Sequence, residues 1–501
     1  MDDDLRALAN SVIWPGFLGS TAPTWLLDEL EHSLAGAVYF THNLTDPRST
    51  AELSTRLRDA NPAALIGVDE EGGTVTRLHD RTGSPIPGAG LLGAIGDPAL
   101  TARANSLIAR KCRAAGVNVV LAPVADVNVN PDNPVIGVRA FGADPDAVAN
   151  HVAAAVGTYA DSGIACCAKH FPGHGDTSTD SHLALPVSGA DAESQQQVHL
   201  APFRAAIDAG VPAVMSAHIV VPHLGTEPST LNPTALEMLR GLGFEGVIIS
   251  DALDMAAIAQ THGIGPGGVL ALAAGCDLLC VGNPANADEP NLDRRQFTEL
   301  QRAIMDAVAD GTLPRERVEQ AAGRVRDLAT RVVLTPTEPA ADTTDDLPDN
   351  GSFAPAFDEE LLVAVEGFLA AQQPPRLDRD RRTLLLDLRR RRNLAAGVSE
   401  DRFAGAFAAA GLSCDHHRPE QHDQHTPGAE TPTGDQVIVL TDDLANGCWQ
   451  QRTAVAAGAT VVLNVGIPAS GDTLPDCPVV NCYESSAISA RAAAAVLLGP
   501  R

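Results

Sequence analysis

Eight short apolar runs alternate with helix-like stretches through the first half of the chain, and this alternation constrains the fold more than any other feature. The runs are apolar almost throughout, as expected for strands buried on both faces of a parallel sheet. They cover residues 11–18, 36–43, 63–71, 117–127, 163–170, 212–219, 246–255 and 276–283. Eight βα units predict an α/β fold, a (β/α)8 barrel of the TIM type. A doubly wound open sheet is the alternative, but it would concentrate ligand groups near one switch point.

A second domain is expected because 501 residues exceed what one barrel needs. Residues 336–358 are acidic and rich in Pro, Thr and Asp, without apolar periodicity, which indicates a linker. Beyond it, Ala-rich helical stretches alternate with apolar runs at 382–388, 435–442, 459–466 and 477–483. The predicted domains are a (β/α)8 barrel over 1–335 and a smaller three-layer α/β/α domain over 359–501. Within the latter, segment 415–435 has no regular ligand spacing and is predicted to be a mobile loop.

Composition limits the class of ligand. The net charge of -28 disfavours nucleic acid and anionic membrane surfaces as partners, and it favours a small neutral ligand. The start of the chain, MDDDLRALANSV, has no basic region before an apolar one, and no run approaches 18 apolar residues. The nine cysteines lack a CxxC pair and are expected to be reduced core residues of a cytoplasmic protein, with a metal pair at Cys276 and Cys280 disfavoured.

Polar residues end most of the predicted strands. In a βα-barrel the carboxyl ends of the strands gather at one mouth, where the active site is built. Residues far apart in sequence are therefore expected to converge there. These strand-end residues are Asp69, Glu70, Asp126, Lys169, His170, His218, Ser250 and Asp251.

An unusually polar segment follows the fifth run, and residues 168–186 read AKHFPGHGDTSTDSHLALP. A zinc site is one interpretation because His170 and His174 stand four apart. Pro172 and Gly173, however, prevent the helix on which such a pair would face one metal. A phosphate cradle is a second interpretation, but the acidic residues of the segment oppose a bound anion. No metal or other cofactor is therefore expected.

Proton transfer is the preferred interpretation of this segment. Asp180 lies two residues before His182, so its carboxylate could orient the imidazole and support its cationic form. Such a histidine can donate a proton to a leaving group and then accept one from an incoming nucleophile. The alternative is that both side chains only hydrogen-bond the loop into place.

An acid/base group needs a partner, and Asp251 is the best candidate. A carboxylate one residue past an apolar strand lies at the barrel mouth and can be presented to a substrate, although an N-cap role is the alternative. Asp254 is expected in the first turn of the next helix, as a cap.

Two arginines are candidates for holding the ligand. Arg77 follows Asp69 after a Gly-Gly turn, so both could approach one ligand. Arg139 lies in a Gly-bounded loop after the fourth run. Such groups hold sugar hydroxyls and acyl oxygens by charge-assisted hydrogen bonds, whereas a surface salt bridge is the alternative for either arginine.

These segments together resemble glycoside hydrolase family 3, in its β-N-acetylglucosaminidase (NagZ-type) branch. The resemblance covers about residues 10–335 and rests on DEEGG-x-V-x-R, VIGVRAFG, KHFPGHGDTSTDSHLALP and SDALDM, which occur in the family's order. The downstream α/β domain is similar to that of the two-domain members.

The resemblance implies a retaining exo-β-N-acetylglucosaminidase that acts through a covalent glycosyl-enzyme. It assigns Asp251 as nucleophile, His182 as acid/base and Asp180 as the partner of that histidine. It assigns the sugar-binding positions to Asp69, Arg77, Arg139, Lys169 and His170. Glu70 stands where the family often has His or Gln, and it is expected to add negative charge near the site.

The resemblance also leaves alternatives and gives further expectations. Loop 171–182 is expected to be mobile without ligand, so that His182 could lie far from Asp251 until sugar binds. A phosphorylase is the first alternative, because an imidazole acid/base tolerates an anionic nucleophile, and a noncatalytic sugar-binding relative is the second. Expected substrates are cytoplasmic cell-wall (peptidoglycan) fragments or chitooligosaccharides.

Overall fold

The computed structural model describes residues 2–179, 185–333, 356–390, 402–419, 434–444, 448–468 and 477–499. Two parallel sheets organise these residues, one before residue 333 and one after residue 356. Most of the predicted linker, residues 336–355, lies outside the described ranges, as do the predicted site residues Asp180 and His182.

The first sheet contains one strand at each of the eight predicted runs, and the fifth strand ends one residue past its run. The strands are β1 Ile13–Trp14, β2 Gly36–Tyr39, β3 Leu65–Val68, β4 Val119–Val120, β5 Ala165–Phe171, β6 Ala213–Ser216, β7 Val247–Ile249 and β8 Leu279–Cys280. Strands β2 to β7 pair in sequence order, β1 pairs with β8, and every pair is parallel.

The β1–β8 pair closes this sheet into a ring. A parallel bridge joins Ile249 at the end of β7 to Leu278 before β8. On the other side, the N–H of Val38 in β2 donates to the carbonyl of Pro15 after β1 (2.9 Å). The predicted (β/α)8 barrel is therefore confirmed.

Helices connect the strands of the barrel. They are α1 Asp2–Asn10, α2 Thr24–Glu31, α3 Pro47–Ala60, α4 Ala89–Ile95, α5 Pro98–Ala114, α6 Pro145–Asp161, α7 Ala192–Ser194, α8 Ala201–Asp208, α9 Pro233–Gly241, α10 Ala256–Ala259, α11 Ile264–Ala274, α12 Leu292–Asp310 and α13 Arg315–Val333. Three of them begin at an Asp-Pro pair, in which Asp46, Asp97 or Asp144 accepts a hydrogen bond from a first-turn N–H. Proline suits the first helical position because its missing N–H would have no helical partner there.

Side chains fill the barrel interior. The indole of Trp14 is fully buried, and its Nε1–H donates to the carbonyl of Leu65 (2.8 Å). A Cβ at Gly67 would lie 2.2 Å from the Trp14 ring, so only glycine leaves room for the indole there. The interior is a packed core, and the strand ends above it form the base of any site at the mouth.

The second sheet has five parallel strands in the order β10-β9-β11-β12-β13. They are β9 Thr383–Asp387, β10 Cys414–His417, β11 Gln436–Thr441, β12 Val461–Asn464 and β13 Val479–Asn481. The helices are α14 Glu359–Ala371, α15 Arg402–Ala409, α16 Trp449–Ala456 and α17 Ala487–Leu498. Alternate residues of β9 face opposite sides: Leu384 packs in one cluster with Trp449 of α16, and Leu385 packs with α17 in the other. The predicted α/β/α layering of this unit follows from that packing.

Strand β10 corrects the prediction of a loop over residues 415–435. Cys414–His417 pairs with β9 alone, so it is an edge strand, and two of its four side chains are exposed. An edge strand of this kind needs no apolar alternation, and its sequence CDHH therefore gave no strand signal. Residues 420–433 of the same segment lie outside the described ranges.

Candidate active site

One pocket opens at the carboxyl ends of the barrel strands. Six predicted site residues line it: Asp69, Arg77, Arg139, Lys169, His170 and Asp251. They come from β5 and from the loops after β3, β4 and β7, so the closed ring of strands brings them together. The other two predicted residues, Asp180 and His182, are outside the described part of the chain.

Lys169 is the centre of a buried charge network in this pocket. Its side chain is 2% exposed, and its Nζ lies 2.7 Å from Asp69 Oδ1 and 2.7 Å from Glu71 Oε1. Burial opposes the charge of the ammonium group, but the two carboxylates outweigh it and raise the pKa of Lys169. Burial would likewise raise the pKa of Asp69, but Lys169 and Arg77 hold it below its ordinary value. The network therefore remains ionised near neutral pH.

Arg139 extends this network through a two-point contact. Its Nε and Nη2 donate to the two carboxylate oxygens of Glu71 at 3.0 and 2.8 Å, and its Nη1 donates to the carbonyl of Val135 (3.2 Å). Burial would raise the pKa of Glu71, but Arg139 and Lys169 lower it well below its ordinary value. A guanidinium held at three points is a rigid donor at the edge of the pocket.

Glu71 was not predicted as a site residue from the sequence, and Glu70 was wrongly predicted to lie near the sugar site. The Glu70 carboxylate is buried away from the pocket, where it accepts from Thr76 Oγ1 and from the N–H groups of Arg77 and Leu78 at 2.5, 2.8 and 3.0 Å. The prediction that Glu70 adds negative charge at the sugar site is therefore wrong, because Glu71 and not Glu70 lines the pocket. The signal was present, because side chains alternate along an extended chain and positions 69 and 71 share a face that 70 does not.

Asp126 orients the histidines of the site. His170 Nδ1 lies 2.8 Å from Asp126 Oδ2, and the N–H of His174 donates to Asp126 Oδ1 (2.7 Å). Burial would raise the pKa of Asp126, but His170 lowers it. Burial lowers the pKa of His174 to about 4, so this ring is neutral near pH 7. Sequence reasoning placed Asp126 at a strand end and weighed His174 as a metal ligand, but it gave neither a role in the site.

The loop after β7 presents Asp251 and is held to β8 by backbone hydrogen bonds. The N–H of Leu253 donates to the carbonyl of Cys280 (3.0 Å), and that of Ser250 to Leu278 (2.9 Å). His218 Nε2 lies 3.0 Å from the carbonyl of Ala252, and the Asp251 carboxylate accepts from the Ala252 N–H (2.8 Å). The half-exposed Asp251 side chain is therefore fixed at the pocket wall.

Asp254 does not cap a helix, contrary to the prediction. Helix α10 has Met255 at its N-cap without a side-chain cap bond, and the Asp254 carboxylate instead accepts from the N–H of Asn283 after β8 (3.0 Å). A Cβ at Gly282 (φ 120°) would lie 1.9 Å from Asp254 Oδ1, so glycine is required for this contact. The loop after β8 thereby brings two amide side chains, Asn283 and Asn286, to the pocket, and sequence reasoning missed both.

The remaining lining is apolar and comes from the barrel interior. It consists of Val38, Phe40, Leu121, Met215 and Cys280, with Val75, Val135, Ala252 and Met255 at the sides. A pocket lined by charged donors, a carboxylate and apolar side chains suits a ligand that has several hydroxyl groups and an apolar face. Within the described ranges, no group of three or more His, Cys, Asp or Glu side chains is arranged to hold a metal ion. No helix in those ranges is long and apolar enough to cross a membrane.

A closed parallel barrel with a carboxylate and fixed hydrogen-bond donors at its mouth defines an enzyme scaffold of the TIM-barrel class. The family model for the glycosyl hydrolase family 3 N terminal domain matches residues 23–328. The chain therefore belongs to glycosyl hydrolase family 3, and it is a glycoside hydrolase whose substrate is a carbohydrate.

The chain is similar to named hexosaminidases in sequence and to a solved family 3 structure in fold. A beta-hexosaminidase of Stenotrophomonas maltophilia (strain K279a) is 38% identical over 285 residues, which are 55% of this chain and 84% of that protein. A beta-hexosaminidase of Thiobacillus denitrificans is 34% identical over 329 residues, which are 61% of this chain and 91% of that protein. The solved structure of a family 3 beta-N-acetylglucosaminidase from Paenibacillus sp. str. FPU-7 is 30% identical, with a TM-score of 0.85 over 99% of this chain and 96% of that chain.

Proposed function

We propose that this protein is a retaining, exo-acting β-N-acetylglucosaminidase with Asp251 as its nucleophile. The observation that carries the proposal is the position of the Asp251 carboxylate, which lines the same pocket as the charged donors Arg77, Arg139 and Lys169. The similarity to beta-hexosaminidases, and to a beta-N-acetylglucosaminidase along nearly the whole chain, supports the choice of sugar.

In the proposed mechanism, Asp251 attacks the anomeric carbon while an acid protonates the leaving oxygen. The bond from the anomeric carbon to the aglycone oxygen breaks, and a glycosyl ester forms on Asp251. Water then attacks this ester, and the former acid accepts the proton of that water. We assign the acid/base role to His182 with Asp180 as its partner, on the sequence motif alone. Because an ester intermediate reverses the configuration twice, the sugar is released with its original β configuration.

The buried network supplies the proposed sugar contacts. Lys169, Arg139 and Arg77 donate hydrogen bonds to sugar hydroxyls. Asp69 accepts hydrogen bonds from sugar hydroxyls. Their positions are fixed before binding, since Lys169 and Arg139 already have buried carboxylate partners. Pre-positioned donors lose little conformational entropy on binding, which strengthens the binding of a ligand that matches them.

The finer assignments belong to the same proposal. We assign catalysis to the barrel, residues 1–335, and a supporting role to residues 359–501. The substrates we favour are peptidoglycan fragments or chitooligosaccharides with a terminal β-linked N-acetylglucosamine. Cell-wall recycling in the cytoplasm is the corresponding setting.

A fluorinated N-acetylglucosaminide that forms a slowly hydrolysed ester tests the nucleophile. We expect mass spectrometry of digested protein to find the sugar on Asp251, and Asp251→Asn to remove turnover while sugar binding by calorimetry persists. NMR during hydrolysis is expected to detect the β anomer first. A label on another residue, or an initial α product, would exclude this mechanism.

Addition of phosphate distinguishes hydrolysis from phosphorolysis. With an aryl β-N-acetylglucosaminide, we expect free sugar as the product whether or not phosphate is present. Formation of a sugar 1-phosphate in proportion to phosphate would instead identify the protein as a phosphorylase.

A further inference from the structure

The loop that connects β3 to α4, residues 69–88, carries a large part of the pocket. Asp69, Glu71, Val75 and Arg77 all line the pocket from this loop. The loop is folded into a compact unit, because the N–H of Gly73 donates to the carbonyl of Ile86 (2.9 Å) and that of Glu71 to Val75 (3.0 Å). A displacement of its outer side would therefore reach the residues that face the pocket.

The outer side of this loop contacts the second unit at a buried glutamate. Glu484, which follows β13, is 2% exposed, and its Oε2 accepts from the N–H of Gly88 (2.6 Å). Its Oε1 accepts from Ser486 Oγ (2.5 Å). Burial raises the pKa of this carboxyl to about 7. A group that is costly to bury and bonds across two units is unusual in an interface that serves only for packing.

Further hydrogen bonds join the two units along the loop. The N–H of Ser485 donates to Thr74 Oγ1 (3.4 Å), and that of Ala487 donates to the carbonyl of Ser84 (3.1 Å). Arg402 of α15 donates to the carbonyl of Asp80 (2.7 Å) and to that of Ser485 (3.1 Å). The second unit thus contacts the loop at four separated positions, residues 74, 80, 84 and 88.

Glycines on the loop make room for these side chains. A Cβ at Gly73 (φ 56°) would lie 2.4 Å from Glu484 Oε2, and one at Gly88 would lie 2.9 Å from the same oxygen. A Cβ at Gly83 (φ 79°) would lie 2.5 Å from Arg402 Cδ. The close approach of the two units therefore depends on the absence of a side chain at three loop positions.

We propose that residues 484–487 form a positioning clamp, with Glu484 at its centre, that holds loop 69–88 in the geometry that binds the sugar. This inference rests on the proposed function, which assigns Asp69 and Arg77 of this loop to sugar binding. Glu484 is a positioning residue, because it contacts the loop backbone and is not part of the pocket lining. Its removal is expected to weaken binding of the sugar in the ground state and in the transition state alike, which raises KM more than it lowers kcat.

The test is steady-state hydrolysis of an aryl β-N-acetylglucosaminide by the full chain. For Glu484→Ala we expect KM to rise about tenfold and kcat to change less than threefold. Glu484→Gln keeps an acceptor for the Gly88 N–H, so most of the affinity should return. Glu360→Ala is the matched control, because Glu360 also pairs across the two units, with Arg103 at 2.8 Å, but does not contact the loop. Its KM should equal that of the wild type.

Gly88→Ala tests the same contact from the barrel side and leaves the second unit unchanged. It should raise KM, and the double variant Glu484→Ala/Gly88→Ala should lose less than the sum of the two single losses, because the missing carboxylate makes room for the new methyl group. Amide exchange of residues 72–88 should quicken in Glu484→Ala.

The outcomes separate the clamp from the proposed function. An unchanged KM in folded Glu484→Ala, or equal effects of Glu484→Ala and Glu360→Ala, would overturn the clamp while wild-type hydrolysis stands. Failure of the wild type to release N-acetylglucosamine would overturn the proposed function itself.

Discussion

Removal of the Lys169 ammonium group tests the buried charge network most directly. Lys169→Met keeps a side chain of similar length but leaves Asp69 with Arg77 alone, whose Nη2 lies 3.5 Å away. Glu71 retains its two-point contact with Arg139. Loss of one partner of a buried ion pair costs about 3–5 kcal/mol in folding free energy. Since Glu71 remains paired, we expect the lower value, about 3 kcal/mol.

The measurement is thermal unfolding by calorimetry, with a matched exposed pair as control. A loss of about 3 kcal/mol corresponds to a decrease in Tm of roughly 4 °C in a domain of this size. Arg48→Met breaks the pair with Glu52, whose side chains are 87% and 65% exposed, so its Tm should stay within about 2 °C of the wild type.

The stabilisation of the fold by Lys169 is expected to depend on pH. In the wild type, Lys169 helps to lower the pKa of Asp69 and of Glu71. The pairing therefore stabilises the fold fully above the ordinary pKa of a carboxyl group. This stabilisation is lost as the pH falls from that ordinary pKa through the lowered values. The difference in Tm between wild type and Lys169→Met should therefore stay nearly constant from about pH 7 to about pH 5 and narrow as the pH falls below about 4. Equal Tm values for Lys169→Met and Arg48→Met at pH 7 would refute the buried network as a source of stability.

Three further predictions concern pH, packing and salt. The pKa of His174 is lowered from 6.5 to about 4, so its contribution to the free energy of unfolding decreases by about 3 kcal/mol as the pH falls through this range. In His174→Gln, the free energy of unfolding measured with urea should therefore depend less on pH. Gly282→Ala should displace Asp254 and lower kcat/KM about tenfold. The control is Gly157→Ala, which lies within α6 and has no atom near its new Cβ, so it should keep full activity and raise Tm slightly. Equal activities of the two variants would contradict the close packing of Gly282 against Asp254. Because the net charge is -28, the Tm should rise between about 0.05 and 1 M NaCl, and a constant Tm would count against charge repulsion as a destabilising factor.

Local sequence patterns determined the strands and several helix starts. A barrel strand lies at each of the eight apolar runs, since a strand buried on both faces must be apolar throughout. Asp-Pro pairs begin α3, α5 and α6 for reasons that act within one helical turn. Strand β10 was missed because an edge strand can keep polar side chains, and these gave no periodic signal.

The candidate site was only partly legible in the sequence. Polar residues at strand ends indicated Asp69, Lys169, His170 and Asp251, and all four line one pocket. Side chains alternate between two faces in the Asp-Glu-Glu run after β3. This alternation turns Glu71 towards the pocket and Glu70 away from it. The pairing of Asp254 with the Asn283 backbone depended on the loop after β8, which comes nearly thirty residues later in the chain.

The chain by itself thus determined the class of fold and most of the charged groups at the mouth, because strand burial and helix capping depend on neighbouring residues. Tertiary structure decided which charges pair and which loop is held by the second unit. The contact between Gly88 and Glu484 joins residues 396 positions apart, and no local pattern encodes an interaction across that distance. Closure of the barrel brings the charged groups of the mouth together, and contacts of residues 484–487 and Arg402 with loop 69–88 join the second unit to it.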